Sequence, residues 1–268
     1  MTIRTILLFL ASVFFSVNRV SASSFECLVE PRQVVEIRAS TEGLIKKIHV
    51  DRGDFIKKDQ VLIELDTGVD SARYKMAKYK TGMLGVINAA KSRVDFSVKK
   101  LQREDDLYEK KFVSANERDE AETEKKVAEA QLIESEEDIN LSKLEMSLDQ
   151  EILRLKTIVS PFEGVVMERS HHPGEVAQAD DRLPIVKLAE IGTLFVEVVL
   201  PTSELGKVHN GDAVTVIPEP VELGPLMAKV TVVDPVVDAA SGTFGVRLEL
   251  KNADHKIPAG IRCKADFK

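Results

Sequence analysis

The sequence predicts an α+β protein, mainly β, in which a long antiparallel coiled-coil α-hairpin is inserted into a small β-domain and a small β-barrel domain follows. Three observations support this fold class. Two long segments have helical periodicity, the short strand patterns on either side of them resemble each other, and apolar residues alternate through the last part of the chain.

The composition indicates a folded protein and argues against nucleic-acid binding. Of 268 residues, 44% are hydrophobic and 30% are charged, and the formal net charge is -7. Lys and Arg are dispersed along the chain, so it has no basic face of the kind that binds phosphate backbones. Aromatic residues make up only 5% and Trp is absent, which leaves little for stacking on bases or lining a large aromatic pocket.

Residues 1–22 have the features of a signal peptide. Arg4 precedes an apolar run over residues 6–17, and small residues up to Ala22 supply a cleavage site. The run is shorter than an ordinary membrane-spanning helix. Arg19 after the run leaves an uncleaved anchor as the alternative. We therefore expect export from the cytoplasm.

The chain has two cysteines, and export makes them candidates for a disulfide. Cys27 and Cys263 would then be joined in an oxidising compartment. A second interpretation competes with this one. Cys263 lies on the apolar face of an alternating stretch, where a free thiol would serve as a small core residue. The sequence leaves both interpretations open.

The first predicted helix runs from about Val69 to Lys110 and contains no proline. Its apolar residues recur at the three-four spacing of a heptad seam, at Val69, Ala72, Met76, Tyr79, Met83, Val86 and Ala90. The phase of this seam shifts near Val94, as at a stutter. Gly82 and Gly85 weaken the helix locally, which predicts a flexible point or a close helix approach.

A second predicted helix, from about Ala115 to Leu155, completes a hairpin over residues 68–156. Each helix has about 40 residues, so each extends roughly 60 Å. Only a few residues around Phe112 connect them. Such a short connection joins antiparallel helices, because parallel helices would need a long crossover.

The segments that flank the hairpin resemble each other. The spacing from Gly43 to Gly53 equals the spacing from Gly164 to Gly174, and each segment closes with a short apolar run. Short strands with glycine at their turns predict two halves of one β-domain. We place the N-terminal segment and the first half at residues 23–67, and the second half at residues 157–191.

Residues 192–268 predict a small antiparallel β-barrel. Apolar residues alternate with other residues from Leu194 to Leu200 and again from Phe244 to Leu250. Asn210 and Gly211 supply a tight turn, and prolines punctuate the middle of this segment.

The chain resembles the periplasmic adaptor, or membrane fusion protein, family, which includes HlyD-like and RND-type efflux adaptors. The residues that carry the resemblance are Gly43-Leu44-Ile45 through Gly53-Asp54 to Leu65-Asp66, Ser160-Pro161-Phe162-Glu163-Gly164-Val165-Val166 with Gly174-Glu175, and Gly242-Thr243 to Pro258-Ala259-Gly260. The resemblance implies a split lipoyl-like domain, also called a barrel-sandwich hybrid, together with an α-hairpin and a β-barrel domain. It also implies assembly as a homo-oligomeric ring, commonly a hexamer.

The resemblance implies a periplasmic adaptor subunit of a tripartite efflux pump. Such a subunit, associated with the cell envelope, links an inner-membrane transporter to a TolC-like outer-membrane channel. The signal-like start and the modest hairpin favour an RND-type transporter, and the alternatives are an ABC-type secretion adaptor or a periplasmic coiled-coil scaffold without a pump. Many members continue past the barrel into a membrane-proximal domain. Because little of this chain follows its barrel, we expect transporter contacts on the barrel and the N-terminal segment.

The resemblance also implies a docking site at the hairpin tip. Members that dock on TolC-like channels carry Arg, Leu and Ser at a spacing that Arg103, Leu107 and Ser114 match, and Phe112 lies in the same tip. Other interpretations remain. Ser114 and Glu117 also form a capping-box pattern, Leu107 suits a coiled-coil core, and Arg103 suits a solvated, ion-pairing surface.

The sequence predicts no enzyme, no cofactor and no metal site. Lipoyl and biotinyl carrier domains present a modified Lys on a hairpin turn, and here the helical insertion after Leu65 replaces that turn. His171 and His172 are adjacent, so their side chains are poorly placed to chelate one ion together, and a turn is the simpler interpretation. Metal delivery for a heavy-metal pump is the weaker alternative.

Overall fold

The computed structural model describes residues 23–219 and 221–267, and the predicted signal peptide lies outside them. The described chain divides into two units. One, which we call the hairpin unit, is Val35–Leu188. The other, the barrel unit, combines residues 23–34 with the described residues from Ala189 onward. Two long strands, β1 (Ser23–Ile37) and β8 (Val186–Pro201), contribute residues to both units.

The hairpin unit has the helices in the middle of its sequence and short strands on both sides. The strands before the helices are β2 (Gly43–Ile48), β3 (Phe55–Ile56) and β4 (Val61–Leu65). The helices are α1 (Gly68–Thr81), α2 (Gly85–Glu109) and α3 (Ala115–Leu155). The strands after the helices are β5 (Thr157–Val159), β6 (Gly164–Arg169) and β7 (Val176–Ala177).

The two sets of short strands pair with each other to form one β-domain. β2 pairs with β7, β3 with β6 and β4 with β5, all antiparallel. Two equivalent turns reinforce this pairing, because the Gly53 N–H donates to Val166 O at 2.9 Å and the Gly174 N–H donates to Ile45 O at 2.8 Å. Both glycines have positive φ, 92° and 94°, which residues with a Cβ adopt at a cost. The repeated glycine spacing in the sequence therefore marks an internal structural repeat.

The core of this β-domain is apolar and shared by both halves. Its most buried side chains come from β2 and β4, from β6, and from the segment that enters β8, and include Ile45, Leu62, Ile63, Leu65, Val166, Ile185 and Leu188. Neither half alone could bury such a face. The predicted fold class, with a hairpin inserted into a split β-domain, is confirmed.

The first helical segment is interrupted, unlike the continuous helix that the heptad pattern predicts. α1 ends at Thr81 and α2 begins at Gly85. At the break the Gly82 N–H donates to Tyr79 O and the Met83 N–H donates to Lys80 O, so each bond spans three residues instead of four. Glycine weakens a helix because it loses more backbone entropy on folding than other residues. The break therefore lies where the first of the two glycines stands.

The predicted heptad seam does not form the interface between the two arms of the hairpin. The arms pack through small side chains, and the buried residues there include Ala77, Ser97, Ala121 and Ala128. Most of the large residues of the predicted seam are exposed, among them Val69, Met76, Tyr79, Met83 and Val86. The large side chains of the predicted stripe therefore lie beside the interface with α3 and are not buried in it.

The barrel unit is a closed six-stranded sheet. Its remaining strands are β9 (Ala213–Pro218), β10 (Leu226–Val233), β11 (Thr243–Lys251) and β12 (Ile261–Phe267). The strand order is β1-β12-β9-β10-β11-β8, and β1 also pairs with β8. The alternating apolar side chains of β8 and β11 point inward as predicted and are fully buried.

The first and last strands of the barrel unit are also joined covalently. β1 pairs antiparallel with β12 so that Cys27 lies directly opposite Cys263, with Cα atoms 4.8 Å apart and the two sulfurs bonded. Both cysteines are buried in the apolar core. Of the two interpretations that the sequence left open, the structure has the disulfide, in a position where the cysteines also serve as core residues.

We expect the disulfide to stabilise the barrel unit because it links strands 236 residues apart in sequence. Replacing both cysteines, Cys27→Ala with Cys263→Ala, should lower the free energy of unfolding of the barrel by about 2 to 5 kcal/mol. Denaturant titration with and without a reductant measures this. Reductant should destabilise the parent protein and leave the double variant unchanged. Equal stability of the oxidised and reduced parent would contradict the prediction.

Candidate docking site at the hairpin tip

A defined backbone motif forms the hairpin tip. The Phe112 N–H donates to Leu107 O and the Lys111 N–H donates to Tyr108 O, both at 2.9 Å. This pair of bonds closes the C-terminus of α2 as a Schellman motif. Lys111 has a φ of 63°, at the position where glycine is usual. The motif reverses the chain within a few residues and fixes the direction of the tip.

The predicted docking residues lie at or next to this turn, and they are exposed. Phe112, at the turn itself, is 75% exposed, and Leu107, in the last turns of α2, is 37% exposed. Arg103 lies one helical turn before Leu107 and is exposed, and among the described residues its side chain has no hydrogen-bond or ion-pair partner. The tip therefore presents two apolar side chains close to a cationic one.

Ser114 begins α3 through the capping box that the sequence indicated. Its Oγ accepts from the Glu117 N–H at 3.3 Å, and the Glu117 carboxylate accepts from the Ser114 N–H at 2.7 Å. The Ser114 hydroxyl also donates to the same carboxylate oxygen at 2.9 Å. These bonds satisfy N–H groups that the first turn of a helix leaves unpaired. The hydroxyl is thus occupied within the chain, and Ser114 shapes the tip.

An ion-pair network below the tip was not anticipated. Arg118 on α3 donates from Nε to Asp105 on α2 at 2.9 Å and also contacts Glu122 on its own helix at 3.3 Å. Further along, Lys100 donates to Glu124 at 2.7 Å. Exposed pairs of this kind contribute little stability, but they hold two helices in register. Periodicity could not reveal them because charged residues occupy most outward positions of both helices.

A second exposed apolar surface lies near the root of the hairpin. We call it the root face, and it consists of Val69, Met76, Tyr79, Met83 and Val86 on α1, α2 and the break between them, together with Leu141, Leu144 and Leu148 on α3, all of them exposed. Met76 and Leu148 line one groove between α1 and α3. The same groove contains the Arg73–Asp149 and Lys80–Glu145 ion pairs. Contiguous exposed apolar residues commonly mark a protein-binding surface.

The two adjacent histidines contact different carboxylates. His171 Nε2 lies 3.6 Å from Asp181, and His172 Nδ1 lies 3.3 Å from Glu175. Among residues 23–219 and 221–267, no three His, Cys, Asp or Glu side chains are grouped so that they could hold a metal ion. Within the same ranges, no helix is both long enough and apolar enough to cross a bilayer.

Titration of Glu117 tests the tip geometry. The Ser114 N–H and then its hydroxyl hold the pKa of the Glu117 carboxyl below its ordinary value of 4.5. A depressed pKa means that this carboxylate stabilises the start of α3 above pH 4.5 and loses that effect as the pH falls through the lowered pKa. NMR titration should give a midpoint below 4.5 in the parent and a return toward 4.5 in Ser114→Ala. An ordinary midpoint in the parent would contradict the capping box.

Comparisons with known proteins cover both units. The family model described as "CzcB-like, barrel-sandwich hybrid domain" matches residues 33–187, and the model described as "CusB-like, beta-barrel domain" matches residues 193–268. The crystal structure of MacA from Actinobacillus actinomycetemcomitans has the same fold, with a TM-score of 0.79 and 21% identity, over 92% of this chain and 78% of that one.

The curated relatives of this chain include a named export protein and a named efflux-pump protein. The pyoverdine export membrane fusion protein PvdR of Pseudomonas aeruginosa is 23% identical over 74% of this chain and 52% of its own length. The toluene efflux pump periplasmic linker protein TtgA of Pseudomonas putida is 22% identical over 88% of this chain and 58% of its own length. The chain thus spans about half the length of these relatives. Since the barrel-sandwich model alone matches more than half of the sequence, the chain belongs to the periplasmic adaptor, or membrane fusion protein, family.

Proposed function

We propose that this protein is a non-enzymatic adaptor subunit of a tripartite efflux pump, in the periplasm, between an inner-membrane transporter and an outer-membrane channel. The observation that carries the proposal is the α-hairpin that emerges from a split β-domain and ends in the exposed Leu107 and Phe112. The names of PvdR and TtgA, an export membrane fusion protein and an efflux pump linker, support it.

The tip has the chemistry for docking end to end on the helical ends of a TolC-like channel. Phe112 and Leu107 would be buried against apolar side chains of the channel, which is favourable by roughly 25 cal/mol for each Å² removed from water. The guanidinium of Arg103 would bind carboxylates or free carbonyl oxygens there. Ser114 would act indirectly, because its capping box fixes the turn that positions Phe112.

The inner-membrane partner in this proposal is an RND-type transporter, with an ABC-type transporter as the alternative. The signal-like start of the sequence and the modest length of the hairpin favour the former. Co-purification of the membrane partner, followed by an assay of its ATP hydrolysis, would distinguish the two classes, because ABC-type transporters hydrolyse ATP and RND-type transporters do not.

The proposal includes a ring of identical copies, with the root face as a contact between neighbouring hairpins. The apolar side chains of α1 recur at heptad spacing, which matches the surface of another helix. On α3, Leu148 extends this surface across the groove, and the exposed Leu141 lies two helical turns before it on the same helix face. A second copy supplies helices of the same length and spacing, so we commit to it as the occupant.

In-cell photo-crosslinking from position 112 tests the channel contact. A photoreactive residue in place of Phe112 should trap an outer-membrane channel, identified by mass spectrometry. Leu107→Ser or Arg103→Asp should abolish the crosslink and pump activity while export and folding are preserved. Capture of this chain alone, or of unrelated soluble proteins, despite normal export would contradict channel docking and favour the scaffold alternative.

The matched control for Leu107→Ser is Phe96→Ser. Phe96 is an exposed apolar residue on the same helix, away from the tip. This control should retain both crosslink and activity. If Phe96→Ser also abolished the crosslink and the pump activity, then replacing any exposed apolar residue of α2 would be damaging. That result would contradict a specific role for the tip.

A charge on the root face tests the ring contact. Met76→Glu should shift the purified protein toward monomers, because a carboxylate would have to be buried against an apolar neighbour. Native mass spectrometry or analytical ultracentrifugation measures the shift. The control is Met227→Glu on β10, since Met227 is 62% exposed and Met76 is 60% exposed. Equal effects of the two variants, or none from Met76→Glu on an oligomeric parent, would contradict the assignment.

A further inference from the structure

A buried lysine lies at the root of the hairpin, where the helices meet the β-domain. Lys156 directly follows α3, and its side chain is only 10% exposed. Its Nζ donates to the Glu42 carbonyl at 2.7 Å, and it lies 3.7 Å from a carboxylate oxygen of Asp70 in the first turn of α1. Its own carbonyl accepts from the Leu65 N–H at 2.9 Å. One residue therefore connects both helix ends with β4 and with the residue before β2.

The glycine beside this lysine is explained by the same contact. A Cβ on Gly43 would lie 3.2 Å from Lys156 Nζ and 3.3 Å from the Leu65 side chain. The backbone of Gly43 is not in the left-handed region, so its conformation does not require glycine. The absence of a side chain at this position gives the ammonium group access to the Glu42 carbonyl.

The geometry and the energetics of the Lys156–Asp70 pair indicate that it helps to fix the direction in which the hairpin leaves the β-domain. A buried ion pair adds little net stability compared with apolar residues of similar size, but it is satisfied in only one arrangement of its partners. Asp70 at the start of α1 and Lys156 at the end of α3 also match the signs of the two helix dipoles. The helices extend roughly 60 Å, so a change of about 10° at the root would displace the tip by about 10 Å.

We infer that Lys156, held by the Glu42 carbonyl and Asp70 over Gly43, is the positioning residue that sets the direction of the hairpin relative to its β-domain. A rotation of the β-domain would then also rotate the hairpin and move its tip, because the hairpin would not bend at its root. The transmission rests on the proposed function. The fixed direction does not, because every contact involved lies within one unit of a single chain.

The test is a distance measurement within the full mature chain. Spin labels on cysteines introduced at Lys58 in the β-domain and at Lys110 near the tip report the direction of the hairpin by pulsed dipolar spectroscopy. Both positions are exposed, and the native cysteines are bonded to each other. Lys156→Met should shift the mean distance or at least double the width of the distribution. An unchanged distribution in a folded Lys156→Met protein would overturn the inference.

The matched control is Lys80→Met. The Lys80 ammonium lies 3.7 Å from Glu145, so it also joins α1 to α3, at the same distance as the Lys156–Asp70 pair, but both side chains are about half exposed. This variant should leave the distribution unchanged. A broadening equal to that of Lys156→Met would mean that any ion pair between the arms suffices, and would likewise overturn the inference.

A second variant keeps the inference testable if Lys156→Met does not fold. Asp70→Asn retains the lysine and its bond to the Glu42 carbonyl but removes the carboxylate, so it should also broaden the distribution. An unchanged distribution in Asp70→Asn would count against the inference. The distance experiment needs no partner protein, whereas the crosslink at position 112 needs the channel, so the inference and the proposed function can fail separately.

Discussion

The reciprocal pairing of two short β segments is the constraint on which the hairpin unit depends. Each segment supplies a turn glycine, Gly53 or Gly174, whose N–H bonds to a strand of the other segment, and the apolar core is shared. Neither half can bury its apolar face alone, so the halves fold only together. At the exit from this domain Glu64 of β4 lies opposite Thr157 of β5. Antiparallel strands held side by side oblige the inserted helices to leave and return as antiparallel neighbours.

Much of this architecture could be predicted from the sequence because its causes are local. Helical periodicity reveals the two arms, equal glycine spacing reveals the repeated halves, and strict alternation reveals the barrel strands. α3 begins and ends at the predicted residues because a capping box at Ser114 fixes its start. Such signals depend on the backbone conformation of a few consecutive residues, which sequence determines directly.

The missed features depend on contacts between distant residues. The sequence marked Gly82 as a weak point of the first helix, but it did not indicate that the helix would end there. The tip turn has Lys111 where glycine is expected, so no sequence signal marked its Schellman motif. The partners of Lys156 are distant in sequence, because Glu42 is 114 residues away and Asp70 lies in the first turn of the other arm. Contacts between side chains that only the tertiary fold brings together produce no periodic pattern in the sequence.

The prediction that the heptad seam forms the interface between the two arms was wrong, and the reason lies in what periodicity can indicate. Regular three-four spacing of apolar residues means that a helix has a helical partner, but not which helix that partner is. Within the chain the arms pack through Ala77, Ala121 and Ala128, and Met76 and Tyr79 are left exposed on the root face. Many large apolar side chains exposed on one region of an isolated chain are unfavourable in water. Retaining them is consistent with a protein whose hairpin folds through one face and, as proposed here, assembles with further copies of itself through another.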